Sequence, residues 1–219
     1  VTALPAPVFD GVIDVSHHNG AIDWPAVAAA GIALTFVKAS EGASLVDRRF
    51  AANSAGAAAA GILVTPYHFI DLGDPFAQAR HFIAAAGLGR GAPAMLDWET
   101  ACGAASLVTI GEAVAAATGR EPVGYYGRAR LPQAEPTLSR WPLMLPEYPR
   151  GNTPGRYATL VAAPPRLPPG RPGSRPYDFH QYTPAGQVPG ISGPVDRSIW
   201  VGTRDELRRW HARGQTSPG

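Results

Sequence analysis

Apolar runs of strand length alternate with Ala-rich stretches of helical length along the first 127 residues. Residues 9–16 (FDGVIDVS), 32–38, 63–70, 93–99 (PAMLDWE) and 123–127 read as strands, each a short apolar run bounded by turn residues. Between them, residues 24–30, 47–60, 75–86 and 106–118 are predicted helices. Asp23 stands before the first of these with Pro25 in its first turn, and Asp74 and Pro75 supply the N-cap and first residue of the third. Gly61 stops the second, at a position where a left-handed backbone costs glycine little.

Such alternation builds an α/β fold on a mainly parallel sheet, with functional groups expected at the carboxyl ends of the strands. The pattern weakens after residue 127. Residues 141–148 are a sixth predicted strand, and 149–176, rich in Pro and Gly, are predicted loop. Residues 178–183 and 195–200 are the last two strands. Thr203-Arg-Asp-Glu206 matches a capping box and opens a terminal helix to about residue 212. No repeat or linker divides the chain, so residues 1–219 are read as one domain with an irregular C-terminal half.

Composition narrows the functional classes. At 219 residues and 45% apolar, the chain carries enough material for a core of its own, which argues against intrinsic disorder. Gly and Pro together make up about a fifth of it, so many turns must link the packed elements. The single cysteine, Cys102, rules out an internal disulfide framework and a multi-cysteine zinc site, and has no motif around it that would make it a nucleophile. No apolar run approaches the roughly 18 residues of a membrane span, so membrane insertion is not expected. The first ten residues have neither a basic start nor a long apolar stretch, so no signal peptide is read within the chain, which leaves export open. Net charge is +2, and the arginines are spread from Arg48 to Arg213 without a dense run, which fits a solvated surface and not a nucleic-acid site.

The strongest chemical cluster is Asp97-Trp98-Glu99. Two carboxylates spaced i, i+2 on a strand share one face, and their repulsion pushes one pKa up, as a general acid needs. A solvated acidic strand end is the plain alternative. Asp14, flanked by Ile13 and Val15, is costly to bury unless hydrogen-bonded or used. Asp196 is a similar strand-embedded acid, although Arg197 beside it offers an ordinary salt bridge. His17, His18 and His68 raise the question of a metal. No recognised ligand spacing is present, however, and adjacent histidines on an extended segment point to opposite faces. The letters GLGRGA at 87–92 precede a strand instead of opening a helix and are read as a turn. Aromatic residues, among them Tyr67, Phe69, Trp98, Tyr125 and Tyr148, gather near predicted strand ends. Most are expected in the core, and those beside the acids offer faces on which sugar rings stack.

Taken in order, GVIDVSHHNGAIDW (11–24), FVKASEG (36–42), the D..F..N...A..AG pattern (47–61), YHF (67–69), QA..F (78–82), MLDWE (95–99), QYT (181–183) and VD (195–196) resemble the glycoside hydrolase family 25 lysozymes, the Chalaropsis-type N-acetylmuramidases. The resemblance runs the length of the chain. It implies a modified (β/α) TIM-like barrel with an acidic groove. The implied reaction is bacteriolytic hydrolysis of the β-1,4 bond between N-acetylmuramic acid and N-acetylglucosamine in peptidoglycan. It further implies a secreted or cell-wall-acting monomer whose partner is the glycan strand, with no metal or organic cofactor.

Carried over by position, the resemblance makes Glu99 the general acid and Asp97 its partner, which assists through the substrate's 2-acetamido group or acts more directly on the oxocarbenium-like centre. Asp14 and Asp196 match the other two acids of the groove floor. Tyr67, Tyr148, Lys38 and Gln181 fall at groove positions and are the expected substrate-binding residues. The chain departs from the pattern at Met144 and His180, where the family often has Trp, and at Pro66, where it has a small residue. The first two changes are expected to remove sugar-stacking surfaces. Two other classes compete: a non-catalytic wall-binding protein on the same scaffold, and a metal-dependent hydrolase using Asp14 with nearby histidines, whose activity EDTA would abolish.

Overall fold

The first strand, β1 (Phe9–Val15), shows how sequence becomes barrel wall. Its alternate residues Ile13 and Val15 pack outward with Val27, Val37 and Ala57, while Val12 packs inward with Phe36, Met95 and Phe179. The computed structural model describes residues 7–134, 138–148 and 177–214. The predicted loop at 149–176 lies outside the described residues.

All eight predicted strands form. After β1 come α1 (Trp24–Ala29), β2 (Leu34–Glu41), β3 (Leu45–Val46), α2 (Phe50–Ala59), β4 (Leu63–Phe69), α3 (Pro75–Ala86), β5 (Met95–Asp97) and α4 (Ala104–Thr118). Then follow β6 (Val123–Tyr125), a 3-10 turn (Arg128–Arg130), α5 (Leu131–Ala134), β7 (Leu143–Pro146), β8 (Phe179–Gly186), β9 (Val195–Trp200) and α6 (Arg204–Ala212). The strand order is β1-β9-β8-β7-β6-β5-β4-β2, closed by β1 pairing β2, with the two-residue β3 added to β2. This is a closed mixed barrel of the modified (β/α) type. Every neighbouring pair from β1 through β2 and β4 to β8 is parallel, whereas β9 is antiparallel to both β8 and β1.

Helix boundaries follow the expected caps. Asp23 and Asp74 accept from the amides of Ala26 and Phe76, and Gly87 closes α3 in the left-handed region at φ 60°. Thr203 and Glu206 form the predicted capping box of α6. The second helix starts at Phe50, later than the predicted residue 47, because the Asp47 carboxylate is committed elsewhere. It accepts from the amides of His17 and Arg49 and from His17 Nδ1.

Two layers of apolar side chains hold the barrel. Inside, Phe36 meets Phe179 edge to face at 5.2 Å, and Phe179 meets Trp200 at 4.9 Å. Outside, α3 and α4 bury Phe82, Leu107, Ile110 and Val114 against Leu96, Trp98 and Tyr126 of the wall. Burying each of these side chains contributes about 1.5–3 kcal/mol. Among the described residues no helix is long and apolar enough to cross a membrane.

Candidate active site

The inward positions of the strands change character as they reach the carboxyl end. Val12 gives way to Asp14, Phe36 to Lys38, Met95 to Asp97, Val123 to Tyr125 and Phe179 to Gln181, each two residues on. Because β9 runs the opposite way, the residue it presents at this end is near its start: Asp196, in register with Asp14. An apolar plug thus ends in a polar floor beneath an open cavity of about 470 Å³. Its lining includes all four predicted acids, Asp14, Asp97, Glu99 and Asp196, and all four predicted binding residues, Lys38, Tyr67, Tyr148 and Gln181.

The two carboxylates of the DWE segment are not equivalent. Asp97 ends β5 and is 9% exposed, whereas Glu99 lies past the strand and is exposed at the cavity mouth. Trp98 between them is fully buried against Tyr126 on the outer side, which turns both acids toward the cavity. Burial, then the charge of Glu99, pushes the Asp97 carboxyl well above the usual aspartate range, with Lys38 opposing. Asp97 Oδ1 is buried with no hydrogen-bond partner among the described residues.

Asp14 is likewise held well above its ordinary value, by burial and then by Asp196, against a hydrogen bond from Gln181 that lowers it. Asp196 is pushed up to about 6 by burial, with the charge of Glu99 adding to it. The salt bridge expected for Asp196 goes elsewhere. Arg197 points to the opposite face and bonds Asp10, with both oxygens at 3.1 Å. Successive strand residues face opposite ways, so Arg197 leaves the cavity acids unneutralised.

A hydrogen-bond chain crosses the floor. Tyr125 and Tyr148 both donate to Gln181 Oε1, at 2.9 and 2.6 Å, and Gln181 Nε2 donates to Asp14 Oδ2 at 2.9 Å. The amide of Gln181 is thus engaged in orienting Asp14, while the Tyr148 ring, 42% exposed with its hydroxyl pinned, offers a flat face at the mouth. Lys38 Nζ sits 2.6 Å from Glu41 and 4.8 Å from the centre of the Phe69 ring. Tyr67 has its hydroxyl pKa raised by burial and the nearby acids.

Several expectations need correction. Met144 and His180 are fully buried, one in the barrel interior and the other bonded through Nε2 to Glu147 O at 2.7 Å, and neither lines the cavity. Neither side chain therefore offers a sugar-facing surface in this protein. His17 and His18 do not lie on an extended segment. Ser16 caps a 3-10 turn over His17–Asn19, which brings the two rings to 3.9 Å. The Ser-x-x-Asn spacing was a readable signal for that turn, and through it Ser16, His18 and Asn19 reach the cavity rim. His17 bonds Asp47, and His68 is buried between Ser40 and Gln78, its pKa lowered to about 4 chiefly by burial. Among the described residues no group of three or more His, Cys, Asp and Glu side chains is arranged to hold a metal ion.

Comparison with known proteins places this geometry. Residues 13–191 match the model of glycosyl hydrolases family 25. Lysozyme M1 of Streptomyces globisporus is 31% identical over 215 residues, covering 89% of this chain and 69% of that protein. The bacterial lysozyme of Streptomyces coelicolor superposes with a TM-score of 0.78 at 28% identity, over 94% of this chain and 99% of that one. A family 25 glycosyl hydrolase of Bacillus anthracis shares the fold, with a TM-score of 0.74 at 21% identity and 94% of each chain covered. With its own barrel ending in an acid-lined cavity, the chain belongs to family 25 of the glycosyl hydrolases and is a glycoside hydrolase of the lysozyme type.

Proposed function

We propose that this enzyme cleaves the β-1,4 bond between N-acetylmuramic acid and N-acetylglucosamine, with Glu99 as general acid and Asp97 assisting through the substrate's 2-acetamido group. The observation that carries the reading is the pairing of an exposed Glu99 with a buried Asp97 in one cavity. Glu99 at the mouth meets the glycosidic oxygen and gives it a proton as the C1–O bond breaks. The acetamido carbonyl oxygen attacks C1 from the other face and closes a five-membered ring, whose nitrogen gains positive charge. Asp97 faces that N–H. A carboxylate held at a raised pKa is a strong base once ionised, which suits it to this positive charge. Water then opens the ring at C1 and returns a proton to Glu99.

Asp14 and Asp196 keep the cavity floor acidic beneath the bound sugar. The Tyr148 face and Tyr67 supply sugar contacts, Lys38 counters the charge near Asp97, and Gln181 fixes Asp14. The substrate is the peptidoglycan strand, and the site of action is the cell wall. Release of reducing ends from purified peptidoglycan tests the assignment. Glu99→Gln is expected to lose activity by about 10²–10⁴-fold, and equal rates in the two proteins would refute it.

A further inference from the structure

Glu99 stands outside the sheet ladder, because β5 ends at Asp97. Its direction is therefore set by whatever holds residues 98–102. The Trp98 amide donates to Tyr125 O, Trp98 Nε1 to Cys102 O and Thr100 Oγ1 to Ile70 O, each at 2.9 Å. None of these bonds reaches the peptide group that follows Glu99.

That peptide is held from the next barrel unit. Arg130, in the 3-10 turn after β6, places Nη2 2.8 Å from the Glu99 carbonyl oxygen and 2.5 Å from that of Thr100. Its guanidinium also lies over the Trp98 ring, 4.5 Å from the ring centre, and that ring is fully buried. Charge-assisted bonds to two successive carbonyls, with a stack on an immobile indole, restrain both the height and the rotation of the backbone carrying Glu99. Arg130 and Glu99 share a side cavity of about 400 Å³, and Tyr125 and Tyr148 line both this cavity and the acidic one. The clasp thus sits beside the site.

We propose that Arg130 is a positioning residue for Glu99, holding the loop so that the acid's carboxyl meets the glycosidic oxygen. The inference rests on the reading of Glu99 as the general acid. A small displacement of a reacting group costs up to about 100-fold in rate while leaving substrate contacts in place.

The test measures kcat and KM on soluble peptidoglycan strands for the wild type, Arg130→Met, Arg130→Lys and Glu99→Gln, with melting curves for each. Arg130→Met keeps an apolar stem over Trp98 and removes both bonds. It is expected to lose kcat by about 10–100-fold, with KM within about threefold and little change in melting temperature. Arg130→Lys retains the charge without the planar stack and is expected to recover part of kcat, which also keeps the test open if the Met variant does not fold. A kcat within about twofold of wild type in both variants, or a loss confined to KM, overturns the proposal. Undiminished activity of Glu99→Gln would instead strike the assignment on which it rests.

Discussion

Asp14 and Asp196 sit in register across the antiparallel seam between β1 and β9, two carboxylates on one pleat of the barrel wall. Asp196 binds its proton more tightly in the folded protein, at about 6 against an ordinary 3.8. The stabilisation this represents is fully present below the ordinary value and is lost as pH rises through about 6. Asp196→Asn is therefore expected to raise stability at pH 7 by about 1–2 kcal/mol, allowing for partial solvent screening. It is also expected to flatten the fall in melting temperature between pH 4 and 7. A variant less stable than wild type at pH 7 would contradict this.

Asp47 predicts the opposite sign. Burial raises its pKa, but the amide bonds from His17 and Arg49 and the His17 ring outweigh burial and bring it below 3.8. Its contribution is present above that value and is lost as pH falls through the lower folded one. Asp47→Ala is expected to cost about 1–3 kcal/mol at pH 7, with the difference from wild type shrinking in acid, as urea unfolding at the two pH values would show.

Gln181 joins two tyrosine hydroxyls to Asp14. Gln181→Leu leaves the buried Tyr125 hydroxyl without its acceptor and removes the bond that lowers the Asp14 pKa. The expected cost is about 1–3 kcal/mol in stability, together with a further rise of the Asp14 titration followed by carboxyl NMR. An unchanged Asp14 titration would show that the bond does not orient that acid.

Most of the wall was legible because strands and helices announce themselves by period. In β1, the inward Val12 and Asp14 and the outward Ile13 and Val15 can be read from sequence alone, and the four acids singled out in the sequence line one cavity with the four binding residues that the family resemblance implied. What sequence could not carry was direction and depth. Nothing in the letters of 195–200 says that β9 runs against its neighbours, yet that reversal brings Asp196 to Asp14. Nor does the i, i+2 spacing of Asp97 and Glu99 show that the strand stops between them, so that one acid is buried and the other exposed. Arg130 is invisible at this level because its partners are backbone carbonyls some 30 residues away.

Met144 illustrates the same limit. Its side chain is fully buried among the inward residues of the barrel, so a larger Trp there must displace packed neighbours. Met144→Trp is expected to destabilise by about 1–3 kcal/mol without lowering KM. A lower KM with unchanged stability would place that position in the cleft after all.

Two things define the reaction: the bond broken and the residue that protonates it. Digesting purified peptidoglycan, reducing the products with borohydride and identifying the sugar alcohols by mass spectrometry tests both at once. The wild type is expected to yield N-acetylmuramitol ends, and Glu99→Gln is expected to yield almost none. N-acetylglucosaminitol ends from the wild type, or equal N-acetylmuramitol from both proteins, would contradict the account.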